Sequence, residues 1–253
     1  MTVYPDKQAD KYFSSLVKDK NVVIVGPAAY LEGSDLGKSI DDHDVVVRIN
    51  RAIETTKTHS KDVGARTDIL YSCLLETHRN AGILDFNFIK ESGVKLICAP
   101  GFNKNTYDPS FSYGTHGSIS QKTWNKIKTA NYPVRVASKS VDDLLKKETQ
   151  TRPNTGFIAI FDILEFKPKS LTIHGFTFYL DGFIKGSKSG VEKEKDCTEE
   201  EFALMALNSK RHKQENIWRF AKATLPNNPL VVLDDVMKKI LSLESFSREE
   251  YKK

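Results

Sequence analysis

Short apolar runs alternate with amphipathic stretches along the whole chain. Asn21 to Gly26 (NVVIVG) is a continuous apolar run closed by glycine, the pattern of a strand buried on both faces of a parallel sheet. Val45–Asn50 (VVVRIN), Thr67–Ser72 (TDILYS), Val94–Cys98, Val134–Ala137, Ser170–Gly175 (SLTIHG) and Leu230–Leu233 predict further strands. Between them the period changes to that of a helix. Residues 7–18 put Tyr12, Phe13, Leu16 and Val17 on one face, and 79–92 do so with Ile83, Leu84, Phe86 and Ile89 before Gly93 stops the run. Residues 118–129 predict another helix. Asn154 caps a strong one through Phe166, and Pro168 ends it. Thr198-Glu-Glu-Glu201 is a capping box opening a helical tract, followed by helices over 209–223 and 235–244. Gly33–Ile40 is a short turn or helix, and the polar stretches 101–117 and 181–197 are loops, the second expected to be mobile.

Strands alternating with helices over one chain predict an α/β protein: a single Rossmann-like three-layer sandwich with a mostly parallel sheet, spanning 1–253 as one domain. Ligands of such sheets sit at the carboxyl ends of the strands. That edge would hold Gly26–Tyr30, Asn50, Ser72, Ala99–Gly101 and Gly175–Tyr179.

Composition narrows the function class. The chain has 253 residues, 38 cations against 33 anions, and a formal net charge of +5. The two signs are mixed, so an anionic small molecule fits and a nucleic-acid partner is not required. Cys73, Cys98 and Cys197 are far apart and form no CxxC, so neither a zinc ribbon nor a disulfide scaffold is indicated. With neither an apolar leader segment nor a membrane-length apolar run, the expectation is a soluble protein with reduced thiols and no transmembrane anchor, in the cytoplasm.

Two chemical motifs fail on their glycines, and a third has a simpler reading. Gly33-Ser-Asp-Leu-Gly37-Lys38-Ser39 has three residues between its glycines where a P-loop needs four, and no long helix follows. Gly26-Pro27-Ala28 lacks the second and third glycines of a dinucleotide fingerprint. Asp42-His43-Asp44 has the form of a manganese-binding Asp-x-Asp, but carboxylates also collect in turns for local reasons, and the turn is the preferred reading. The six histidines show no metal-ligand spacing, and no metal or other cofactor is expected.

Two longer segments say more. Val22–Asn50 (VVIVGPAAYLEGSDLGKSIDDHDVVVRIN) resembles the large sialylmotif of the sialyltransferases, glycosyltransferase family 29. That motif has a strand ending in glycine, a Gly-Ser-x-x-Gly, an Ile-Asp and a strand closing in Arg-x-Asn. Arg152–Phe176 (RPNTGFIAIFDILEFKPKSLTIHGF) resembles the small sialylmotif, and the order and separation of the two also match. The resemblance implies a variant GT-A type fold and inverting, metal-independent transfer of a sialic acid from a CMP-sugar donor to a glycan or glycolipid acceptor. A CMP-Kdo-type transferase and a catalytically degenerate CMP-binding module are the alternatives.

It also assigns residues. Gly26, Pro27, Ala28, Asn50, Asn154, Thr155, Gly156, Gly175 and Phe176 fall at donor-binding positions. Asn154-Thr155-Gly156 opens a helix whose N–H groups suit an anion, with Gly156 admitting a close backbone approach. Asn50 offers a donor and an acceptor to a ribose or phosphate, while Arg48 is read as pairing with a scaffold aspartate. The family commonly carries Asn-Ser-Gly-Asn after the first glycine. Here Pro27-Ala28-Ala29-Tyr30 leaves donor contacts to the backbone and Tyr30. The motif cysteines of secretory-pathway relatives are absent, which points to a microbial or viral type.

Inverting transfer needs a base for the acceptor hydroxyl, and histidine suits it near neutral pH. The family pattern is His, four residues, then Glu; here His212 precedes Glu215 by only two intervening residues, and Lys210 stands in the register of the pattern. His212 and Glu215 would be neighbours on one helix face, with Glu215 orienting the imidazole. The alternative is a solvated basic face made by Lys210, Arg211 and Lys213. His116, on the long loop, is the substitute base or a phosphate or acceptor contact; Tyr179 is a candidate acceptor or phosphate contact; His174 is read as structural.

Overall fold

The computed structural model describes residues 7–76, 81–100, 121–187 and 198–253. In chain order the elements are α1 (Lys7–Val17), β1 (Asn21–Val25), α2 (Gly37–Asp41), β2 (Val45–Ile49), α3 (Ser60–Val63), β3 (Ile69–Tyr71), α4 (Phe86–Glu91), β4 (Leu96–Ala99), α5 (Gln121–Ala130), β5 (Val134–Val136), α6 (Lys139–Thr149), α7 (Thr155–Glu165), β6 (Ser170–His174), α8 (Glu199–Leu207), α9 (Gln214–Thr224), β7 (Val231–Leu233), α10 (Asp235–Ser242) and α11 (Arg248–Tyr251). Short 3-10 turns cover Ala29–Leu31 and Asn50–Lys57.

The seven strands form one sheet in the order β5-β4-β3-β2-β1-β6-β7, with every pairing parallel. The alternation of side chains across the sheet explains the unbroken apolar runs. Val22 and Ile24 join one core with Phe157, Ile160 and Trp218. Val23 and Val25 join another, with Leu31, Ile40 and Val63, on the opposite face. Helices cover both faces, so the strands are apolar on both sides.

Chain order runs outward from β1 through β2 to β5, then returns to the other side of β1 as β6. That reversal makes the β1/β6 boundary a topological switch point, where the carboxyl ends part and open a crevice. β1 and β6 are the strands of the two long segments singled out in the sequence, and they pair directly from Asn21↔Ser170 to Val25↔His174.

Several boundaries differ from the sequence reading. α6 is an element that reading does not contain: its two buried apolar side chains, Val141 and Leu145, are diluted among lysines and acids. α4 starts at Phe86 because the Asp85 carboxylate accepts the Asn87 and Phe88 N–H groups, so Ile83 and Leu84 precede the helix. α9 starts at Gln214, with Lys213 extended before it, which leaves His212 outside the helix. The segments 101–117 and 188–197 lie outside the described residues, and so do His116 and Cys197. Among the described residues Cys73 and Cys98 form no disulfide.

Candidate active site

A cavity of about 560 Å³ opens at the β1/β6 switch point, within the size range of small-molecule sites. Pro27 and Ala28 reach it from the end of β1, and Asn50 from the end of β2. Asn154, Thr155 and Gly156 reach it from the start of α7; Gly175, Phe176 and Tyr179 from the end of β6. His212 lines the same cavity. Gly26 and Glu215 do not.

The two strand-end glycines serve each other. A Cβ on Gly26 would stand 2.3 Å from the Gly175 carbonyl oxygen, and one on Gly175 the same distance from the Gly26 oxygen. The strand ends are therefore packed backbone to backbone. Gly156 is likewise required by the protein: a Cβ there would meet the Phe176 ring at 2.6 Å, so the space expected for a close ligand approach is filled by Phe176. We expect Gly26→Ala to destabilise the fold by about 1–3 kcal/mol, because a backbone carbonyl cannot move aside as a flexible side chain can. The midpoint of chemical denaturation checks this, and an unchanged midpoint would contradict the packing argument.

Backbone groups after Gly26 are also committed. The Ala29 N–H donates to Gly182 O (2.9 Å) and Ile184 N–H donates to Pro27 O (2.8 Å), closing a bridge between Ala28 and Phe183. Tyr30, expected at the donor, turns away. Its hydroxyl donates to Asp234 and accepts the Gly175 N–H at 2.6 Å, and its own N–H goes to Asp181. Asp234 also bonds His174 Nδ1 at 3.1 Å and the Met237 N–H at 2.7 Å. His174 is thus structural. Arg48 is fully buried and donates to the carbonyls of Val63, Gly64 and Arg66 and to the Thr67 hydroxyl, rather than to the expected aspartate. Burial lowers its pKa to about 10.

What remains for a ligand is specific. Asn50 sits in a left-handed conformation (φ 47°) and its Oδ1 accepts the Cys73 N–H at 2.9 Å, which fixes the amide and leaves its two N–H donors. Asn154 caps α7 by accepting the Phe157 N–H (2.9 Å). That leaves the Thr155 and Gly156 N–H groups at the positive end of the helix. Tyr179 follows Phe178 in a pair of left-handed residues (φ 63° and 51°). Burial, with the Cys73 thiol as a smaller cause, pushes its phenol up to about 12, so it stays a hydrogen-bond donor near neutral pH.

His212 is held by a seam between two distant segments. The Thr151 hydroxyl donates to Arg211 O (3.3 Å) and accepts the Lys213 N–H (3.0 Å), while Asn216 donates to Thr149 O (2.8 Å). Within this seam His212 Nδ1 lies 2.6 Å from Arg152 O. A carbonyl only accepts, so Nδ1 carries the proton and Nε2 of the neutral ring keeps its lone pair. Burial lowers the His212 pKa, and the Arg152 and Arg211 charges lower it further against the opposing pull of that carbonyl.

The expected Glu215 contact is absent. Glu215 is exposed and its carboxylate accepts from Arg219 at 2.6 Å. It could share a helix face with His212 only if His212 were helical, and α9 begins after it.

Arg152 and Arg211 also line the cavity, and sequence reasoning missed both as ligand groups. Arg152 opens the second motif, two positions ahead of the Asn154 cap, and Arg211 reads in sequence as solvated. Burial and the nearby Arg211 charge lower the Arg152 pKa, so the wall gathers positive charge where an anion would relieve it. The carboxylates of the possible Asp-x-Asp are both engaged elsewhere: Asp42 with Lys38, and Asp44 with the Asn21 N–H at 2.8 Å. Among the described residues, no group of three or more His, Cys, Asp or Glu side chains is arranged to hold a metal ion.

The sequence profile of glycosyltransferase family 29 (sialyltransferase) matches residues 15–178, more than half of the chain and both switch-point strands. The chain belongs to this family. Solved sialyltransferase structures are similar to this glycosyltransferase of the sialyltransferase family at low identity. A mammalian sialyltransferase in complex with Gal-β-1-3GalNAc-ortho-nitrophenol is 14% identical, with 87% of this chain and 71% of that chain covered and a TM-score of 0.47. The sialyltransferase CstII from Campylobacter jejuni, in complex with CMP-3FNeuAc, is 12% identical, with 85% and 80% covered and a TM-score of 0.48. An α-2,3-sialyltransferase from Campylobacter jejuni in apo form is 12% identical, with 87% and 79% covered and a TM-score of 0.49. No curated protein matches the chain in sequence. Among the described residues no helix is long and apolar enough to cross a membrane.

Proposed function

We propose that the cavity holds a CMP-activated, sialic acid-like 2-keto sugar acid, and that the sugar passes with inversion to a glycan or glycolipid hydroxyl. The observation that carries this reading is the His212 imidazole: neutral, fixed at Nδ1 by a carbonyl, and in one cavity with the open N–H groups of α7. His212 Nε2 takes the proton of the acceptor hydroxyl as its oxygen attacks the anomeric carbon. The bond from that carbon to the phosphate oxygen breaks, and CMP leaves with the electron pair.

The leaving phosphate gains negative charge at that moment. The Thr155 and Gly156 N–H groups, the Tyr179 phenol and the two arginines supply donors and positive charge for it and for the sugar carboxylate. These protein groups can stabilise a departing monophosphate, so the proposal needs no metal ion.

Purified protein is expected to release CMP from CMP-sialic acid at the same rate with and without EDTA, with CMP-Kdo slower and UDP-sugars inert. Activity abolished by chelation and restored by manganese would reinstate a metal role. CMP binding with no release from any CMP-sugar would favour the degenerate module.

A further inference from the structure

Two buried side-chain polar atoms among the described residues have no hydrogen-bond partner: Arg48 Nη1 and Ser187 Oγ. Arg48 lies in the scaffold, where its other nitrogens meet backbone carbonyls. Ser187 is different. It is 1% exposed, and it is part of the cavity wall. A buried hydroxyl with no partner is costly and uncommon, so its position on that wall points to a partner that the ligand brings.

The segment that carries Ser187 is fixed, and apolar side chains line the same cavity. The Ser187 N–H donates to Ile184 O at 3.1 Å, and Ile184 is itself buried among Val23, Val25 and Leu31 and bonded to Pro27 O. Phe183 and Phe202 pack in one cluster beside Tyr179, and Met205 and Ala206 of α8 extend the same lining. One unpartnered hydroxyl on a wall that also carries apolar side chains suits a group with one hydrogen-bonding end and one apolar end. A sugar hydroxyl would bring no apolar end, and a pyrimidine edge would bring more polar atoms than one hydroxyl can pair. An acetamido group fits: its carbonyl or N–H meets Ser187 Oγ and its methyl meets Phe183, Phe202 and Met205.

We propose that Ser187 and the apolar wall beside it form a specificity pocket for the N-acyl substituent of the transferred sugar. This rests on the CMP-sugar reading above, and the subsite goes beyond it.

The test compares CMP-N-acetylneuraminate with its counterpart carrying a hydroxyl in place of the acetamido group. Equilibrium binding of each is measured by calorimetry and CMP release separately, so that a failure of turnover and a failure of the subsite are distinguishable. Wild-type protein is expected to bind the acetamido donor more tightly. Ser187→Ala is expected to reduce that preference about tenfold, the loss of one hydrogen bond in a desolvated site. Its melting temperature without ligand should hold or rise, since an unpaired buried hydroxyl is removed.

Equal binding of the two donors by wild-type protein would overturn the subsite whatever the turnover. So would a Ser187→Ala variant that keeps the full preference, or that loses affinity equally for both donors and for CMP. A melting temperature several degrees lower would make the hydroxyl structural and would also overturn it. A preference present in binding and lost in Ser187→Ala would support the subsite even in a protein that releases no CMP.

Discussion

Replacing His212 by alanine is expected to lower kcat by about 10²- to 10⁴-fold, the range for losing a positioned general base, with CMP affinity changing far less. The base acts on the acceptor proton during attack, so its loss falls on the chemical step rather than on nucleotide binding. The pH profile separates this from a structural effect. Only neutral imidazole accepts the proton, and burial, reinforced by Arg152 and Arg211, holds the His212 pKa below its ordinary value. Wild-type kcat/KM should therefore rise with pH along an acid limb lying below about 6.5 and be level near neutrality. The limb should vanish in His212→Ala. Glu215→Ala should have little effect, because its carboxylate is on Arg219. A His212→Ala protein that transfers at the wild-type rate, or keeps the acid limb, would remove His212 from the mechanism.

Asp162→Ala is expected to cost about 3–5 kcal/mol of folding stability, a large share of what a typical domain has. Asp162 is fully buried on α7 and accepts four hydrogen bonds: from Arg135 Nη1 (2.6 Å) and Nη2 (3.2 Å), the Tyr71 hydroxyl (2.5 Å) and the Ser138 N–H (2.9 Å). Arg135 is equally buried; burial works against its charge, and Asp162 more than compensates. Its guanidinium lies 4.1 Å from the centre of the Phe13 ring and 4.9 Å from that of Phe166, and Nε donates to Asp10 at 2.7 Å. Removing the carboxylate would leave a desolvated cation with a half-exposed aspartate as its remaining acid partner. Chemical denaturation would read the loss, and a drop below about 1 kcal/mol would contradict the account. A paired Asp162→Leu, Arg135→Met variant should recover much of it, because no uncompensated charge remains.

The chemistry of this network was not legible in the chain. Tyr71, Arg135 and Asp162 each sit in an apolar run where the period signals burial, and they read as strand or helix positions. Their pairing spans 91 and 27 residues. The site was legible in its location and less so in its detail. β1 and β6, the strands of the two motif segments, end at the switch point, and Asn50, Thr155 and His212 line one cavity. The free groups were misjudged where a neighbour from far along the chain occupied them. Phe176 fills the space beside Gly156, the 182–184 segment takes the Pro27 and Ala29 backbone groups, and Asp234 takes Tyr30.

The sequence by itself determined the strands, the α/β class and the family, because apolar runs, glycine stops and motif order are local records of burial and backbone shape. Only the tertiary structure decided which polar groups stay open to a ligand. A hydrogen bond is spent once, and whether Asn50, Gly175 or Ser187 has spent its own depends on residues that meet only after the sheet has closed.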